Sequence, residues 1–212
     1  EKGFEIYWPI FDHWVEQMTH YAPWINWMSV ERDKGLEHAY EIPKNILEKK
    51  SVDKILPLYN FLSSKPELSK VPYFPYVTFD QFKYFKAEVP FFYKWKLNQC
   101  IKRDDKREEE TYDKYVKNKN YVVTHLKASV HNADFDKSII PNDHQVIEIS
   151  NDGYVLDWLK IIENAKILFM TNSVMANITD QLNIEVKKFF IPRTNIFLSP
   201  TFLNNWTWLK NK

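Results

Sequence analysis

The chain has 212 residues, 44% of them hydrophobic and 27% charged, which is material for one large or two small globular domains and excludes a disordered chain. A net charge of +1 argues against a protein built to coat nucleic acid or an acidic membrane surface. The single cysteine, Cys100, excludes an intrachain disulfide and a cysteine-based metal cluster, and the three glycines exclude a P-loop and a dinucleotide fingerprint.

The chain opens on Lys2-Gly3, a pair resembling a helix C-cap, which predicts that a strand and a helix precede it. Phe4 to Trp8 reads as a strand ending at Pro9. Residues 11–21 (FDHWVEQMTHY) read as a helix with Trp14, Val15 and Met18 on one face, and Ile25 to Met28 as a short strand. Residues 30–50 are charged and less regular. Val52 to Leu62 is apolar-rich but interrupted by Pro57, and Pro66, Pro72 and Pro75 predict an extended loop over 63–78. Residues 79–96 predict a helix, a turn at Pro90 and a second helix. Residues 102–119 predict a solvated helix laced with charge pairs, Arg103 and Arg107 against Glu109 and Glu110.

From Tyr121 the pattern sharpens. Tyr121 to His125 is a strand, Leu126 to Asp143 a polar loop, and Gln145 to Ile149 another strand. Asn151-Asp152-Gly153 is a turn, with Asn151 or Asp152 placed to cap a helix whose apolar face is Val155, Trp158, Leu159 and Ile162. Ile167 to Met170 is too short for a helix and predicts a strand buried on both faces. Thr171-Asn172-Ser173 then opens a helix carrying Met175, Ile178 and Leu182 inward, and Val186 to Ile191 is the next strand. The last residues hold Phe202, Trp206 and Trp208, too apolar to hang free.

This alternation predicts an α/β fold of two Rossmann-like halves with parallel sheets, the first incomplete. The expected boundaries are 1–110 for the N-terminal half, 111–195 for the C-terminal half, and 196–212 for a tail packing back on the N-terminal half. No apolar run approaches the roughly 20 residues of a membrane span, and no signal peptide is visible. With one cysteine, these features predict a cytoplasmic protein.

Ligands of parallel sheets sit at the carboxyl ends of the strands, where a helix N-terminus follows and its unpaired N–H groups favour phosphate. Thr171, Asn172 and Ser173 stand at such a point, and Asn151 begins another. The strand ending at His125 leads to Lys127 and Ser129 on the same edge. A basic side chain and hydroxyls beside helix N-termini suit a diphosphate, although simple helix capping explains Thr171-Asn172-Ser173 equally well. The six histidines are scattered. His125 and His131 with Asp134 and Asp136 can be read as a cation-holding loop or, more simply, as a solvated polar loop. The aromatic content of 17%, with eight Trp, can be read as core filling or as a surface on which bases or sugars stack.

The chain resembles glycosyltransferases of the GT-B type, in the heptosyltransferase-like branch found in phage and environmental sequences. The carrying residues are Gly3-Phe4-Glu5-Ile6-Tyr7-Trp8-Pro9-Ile10, Ile55-Leu56-Pro57-Leu58, and Lys83-Tyr84 followed by Trp95 and Arg103-Asp104 with Glu108 or Glu109. The most specific block is Tyr154 with Asp157-Trp158, Ile161 and Glu163-Asn164-Ala165-Lys166; Thr171-Asn172-Ser173 stands where the family opens its next helix. The resemblance implies transfer of a sugar from a nucleotide-sugar donor to a glycan or lipid-glycan acceptor, without a bound metal or other cofactor and without nucleic acid as partner. Carried over, Thr171 and Ser173 would meet the phosphates and Lys127 the diphosphate, while Ile149, Ser150 and Asn151 would flank the nucleobase. Arg103 matches a position without an assigned role, and Asp12 is the candidate catalytic base. A non-catalytic binding module that kept the scaffold is the alternative.

Overall fold

The computed structural model describes residues 3–32, 40–58, 78–128, 131–192, 200–203 and 205–211. The chain divides into two units, Glu1–Phe91 with Cys100–Lys102, and Phe92–Gln99 with Arg103–Lys212.

In the first unit, β1 (Ile6–Phe11) and β2 (Ile25–Val30) pair in parallel around α1 (Asp12–Tyr21). β1 continues through Pro9 rather than ending there. A proline fits because β1 has one described neighbour, so one side of the strand needs no N–H ladder. Tyr21, Val30 and Phe82 are its most deeply buried large side chains among the described residues. A helix that charge had hidden, α2 (Glu41–Lys49), lies within the segment expected to be less regular. Its Pro43 occupies the third helical position, where the missing N–H would have no intrahelical acceptor. α3 (Phe79–Lys86) opens with a capping box between Thr78 and Gln81, and a short 3-10 turn, Phe91–Trp95, follows Pro90. The extended loop expected over 63–78 lies outside the described residues except for Thr78.

The second unit is built on a five-stranded, wholly parallel sheet in the order β6-β3-β7-β8-β9. Its strands are β3 (Tyr121–His125), β6 (Gln145–Glu148), β7 (Ile167–Thr171), β8 (Lys187–Ile191) and β9 (Trp206–Trp208). Between β3 and β6, β4 (Lys127–Ala128) pairs antiparallel with β5 (His131–Asn132). The protein is thus mixed α/β, with one two-stranded and one five-stranded parallel sheet in a Rossmann-like arrangement. The apolar runs of β3 and β7 explain their central places: Val122, Val123, Leu168, Phe169 and Met170 are all fully buried, as strands covered on both faces must be.

Two different covers achieve this. On one face, Ala133 and Phe135 from the link after β3 pack with Val122, Phe169, Phe189 and Ile191. Phe135, Phe169 and Phe189 form a continuous stack with centroid spacings of 4.8 and 4.9 Å. The segment expected to be a polar loop is therefore also a lid for the core. The other face carries α5 (Leu159–Asn164), to which Tyr121 donates a hydrogen bond at the Ile161 carbonyl, and α6 (Val174–Gln181), whose Thr179 hydroxyl meets Met170 Sδ at 3.3 Å. The tail, expected on the N-terminal half, supplies the edge strand β9 beside β8.

α4 (Asp105–Tyr115) is laced with charge, but its arginines do not pair as spacing suggested. Arg103 forks between Glu108, which is 2% exposed, and Glu163 of α5 at 2.6 Å. Arg107 donates to both Asp157 oxygens, through Nε at 2.9 Å and Nη2 at 2.7 Å. Asp157 also accepts the Tyr154 N–H at 2.8 Å, closing the 3-10 turn Val155–Trp158. That is the cap expected from Asn151 or Asp152. Asp152 instead accepts from the Tyr115 hydroxyl at 2.7 Å. Gly153 is required here: its φ is +73°, and a Cβ would lie 2.8 Å from Asp157 Oδ2.

Candidate functional site

The strand order carries the first piece of the site. β3 comes first in the chain, the chain moves outward to β6, then returns past β3 to β7 and continues to β8 and β9. The direction reverses between β3 and β7. The link after β3 covers one face, and α6 after β7 covers the other. The links after β3 and β7 therefore leave on opposite faces, which is the switch point whose crevice holds ligands in open parallel sheets.

Two side chains meet at that crevice. His125 ends β3, in register with Met170 of β7, so its ring lies on the α6 face. Ser173 is the N-cap of α6, extended at φ −150°, with its oxygen accepting the Ala176 N–H at 3.4 Å. His125 Nδ1 lies 2.9 Å from Ser173 Oγ. Nε2 of the same ring has no hydrogen-bond partner among the described residues. Burial pushes the His125 pKa below its ordinary value, against a smaller upward pull from the Glu148 carboxylate. The imidazole is accordingly neutral at neutral pH, and its Nδ1 can accept the serine proton.

The remaining sequence candidates separate clearly. Lys127 Nζ pairs with Glu148 Oε1 at 3.2 Å on the exposed rim, so the basic group expected for a diphosphate already has an anion beside it. Thr171 is 0% exposed and donates its hydroxyl to the Ile191 carbonyl at 3.0 Å, so it fixes β7 to β8 and offers nothing to a ligand. Asn172 is buried beside it. Ile149 is buried and extends the β3–β6 ladder through its N–H to Thr124 at 2.9 Å; Ser150 and Asn151 are exposed at the same strand end. Ser129 lies outside the described residues. Arg103 is committed to Glu108 and Glu163, which together raise its pKa further. Asp12 lies in the first unit, at the start of α1, where it accepts the His13 N–H at 2.7 Å. That hydrogen bond and the His13 ring hold its carboxyl below the usual range, which makes it a weak proton acceptor.

Among the described residues no three His, Cys, Asp or Glu side chains gather to hold a metal ion, and no helix is long and apolar enough to cross a membrane. Glu148 was not singled out by sequence. Only the parallel register, which sets it opposite Thr124, brings it to the edge that His125 ends. In the first unit a cavity of about 550 Å³ is lined by Tyr7, Asn26, Trp27, Met28, Ile46 and Lys50 among others. The chain matches no family model, no curated protein and no solved structure.

Proposed function

We propose that the second unit binds the phosphates of a nucleotide-activated sugar at the crevice between β3 and β7, and that the protein is a metal-independent glycosyltransferase of the GT-B type. The observation that carries this reading is the contact between His125 and Ser173 across the strand-order reversal, at the N-terminus of α6. A helix N-terminus, a hydroxyl and an imidazole together can stabilise the charge of a leaving diphosphate without a metal. Ser173 is the central ligand contact in this reading, His125 its partner and Lys127 a rim contact. Thr171 takes no part, because its hydroxyl donates to the Ile191 carbonyl inside the sheet. The test is thermal denaturation of the whole chain with UDP, GDP, ADP and CDP. At least one is expected to raise the midpoint, and Ser173→Ala to abolish that rise; the absence of any rise sinks the reading.

A second reading has its own observation. The residues that carry the resemblance most specifically, Asp157 and Glu163, are engaged with Arg107 and Arg103 and tie α4 and its leading residue to the 3-10 turn and to α5. A scaffold can keep such contacts while losing chemistry. In that case the protein is a glycan-binding module, and the cavity beside Trp27, with Tyr7 and Lys50 at its wall, is the place for a sugar to stack. Binding of a glycan array member without any nucleotide response selects this reading.

A further inference from the structure

The pair at the crevice has a property that neither residue has alone. Ser173 Oγ already accepts the Ala176 N–H. With neutral His125 in the tautomer that carries its proton on Nε2, the serine proton satisfies Nδ1, so the hydroxyl turns its one proton toward the ring and away from any ligand. With an imidazolium, Nδ1–H must donate, Ser173 Oγ must accept it, and the hydroxyl proton is released to point outward. The protonation state of one ring thus decides whether Ser173 presents a donor or a lone pair to an arriving anion.

The surroundings are poised for such a change. β7 places Met170 opposite His125, and α6 places Ser173 against it, so neither contributes a charge at the ring. Glu148 at the end of β6 is the charged group that bears on the imidazole, and Lys127 on β4 pairs with that carboxylate. Burial favours the neutral ring in the free protein; an anion set down beside it favours the charged one. Among the described residues no contact competes for Nε2, the ring's second N–H site.

We propose that His125 and Ser173 form a proton-coupled latch, in which binding of a ligand phosphate draws one proton from solvent onto His125 and turns the Ser173 hydroxyl outward to donate to that phosphate. The latch rests on the phosphate-binding reading given above. The balance is simple: one proton leaves the solvent, Nδ1–H donates to Ser173 Oγ, Ser173 O–H donates to a phosphate oxygen, and no covalent bond is made or broken. Ligand affinity must then fall as pH rises, by up to about tenfold per pH unit between the free-state and the bound-state pKa of His125.

The experiment is calorimetric titration of the whole chain with UDP, GDP, ADP and CDP, between pH 6.5 and 8.5, in buffers of differing ionisation enthalpy. These pH values lie above the second phosphate pKa of about 6, so the nucleotide itself takes up little proton. The expected result is a net uptake approaching one proton per bound nucleotide for the native chain, with affinity dropping at least tenfold across the range. His125→Asn, whose amide can hold Ser173 without titrating, is expected to bind more weakly and to lose the pH dependence, its affinity varying less than twofold across the range. Binding with no buffer-dependent heat and no pH dependence overturns the latch and leaves nucleotide binding standing. Equal proton uptake by His125→Asn also overturns it, because the proton then resides elsewhere. No binding of any of the four at any pH overturns both the latch and the phosphate reading.

Discussion

The two ends of α6 solve opposite problems with polar groups. At its last turn, Asp180 is 0% exposed and accepts from Trp95 Nε1 at 2.5 Å, Trp206 Nε1 at 3.0 Å and the Leu203 N–H at 3.1 Å. An acid there opposes the helix dipole, and only this set of donors makes it tolerable. At the first turn, Ser173 is half-buried, and beside the Ala176 N–H its hydroxyl meets a ring that can change charge. A saturated polar cluster fixes structure, whereas a cluster with a titratable member can respond to a ligand. The contact of α4 with α5 belongs with the first kind: Arg103 and Arg107 are forked onto carboxylates, leaving geometry rather than chemistry as their contribution.

That contrast predicts a gradient of consequences. Asp180→Ala leaves three donors without their acceptor in a closed core and is expected to cost about 4 kcal/mol, read as the loss of unfolding free energy in urea. Arg103→Ala strands the buried Glu108 and is expected to cost about 3 kcal/mol, whereas replacing both Arg103 and Glu108 by Met recovers most of that loss. Gly153→Ala meets both a left-handed backbone and the Asp157 carboxylate, for an expected cost of about 2 kcal/mol. Combined with Asp157→Ala it should cost less than the sum, because the carboxylate it strikes is gone. Ser173→Ala removes an N-cap and is expected to cost only about 1 kcal/mol while abolishing the nucleotide-induced rise in melting temperature. If Ser173→Ala proved as destabilising as Asp180→Ala, the distinction between the two ends of α6 would collapse.

The smallest effect is on pH dependence. Burial lowers the folded-state pKa of His125 below its unfolded value of about 6.5, so the unfolded chain binds the proton more readily. The sign follows: the contribution is fully present above about 6.5 and is lost as pH falls through the unfolded value toward the folded one. Urea midpoints at pH 7.5 and 5.5 should therefore differ less for His125→Asn than for the native chain.

Much of the second unit was legible because its apolar runs are continuous. Tyr121–His125, Ile167–Met170 and Val186–Ile191 carry the strand signal in a few residues, and Ser173 reads as a cap from its type and place. What was hidden depends on separation along the chain. Arg107 and Asp157 lie 50 residues apart, Arg103 and Glu163 60, and His125 and Ser173 48, so no local spacing announces them. Thr171 misled because its residue type suits capping, whereas the pleat turns its hydroxyl to Ile191. Phe135 is hidden in the sequence because its neighbours Asp134 and Asp136 give the segment a solvated pattern, and α2 because charge masks its period.

The edge strand β9 has a consequence for synthesis. A chain made from its N-terminus exposes β8 as an open edge until residues 206–208 have also left the ribosome. Two of the three donors to Asp180, Leu203 and Trp206, are missing for the same interval. The second unit therefore passes through a period on the ribosome with a sticky strand and an orphaned carboxylate, and its window for misassembly closes only when the two tryptophans of β9 arrive.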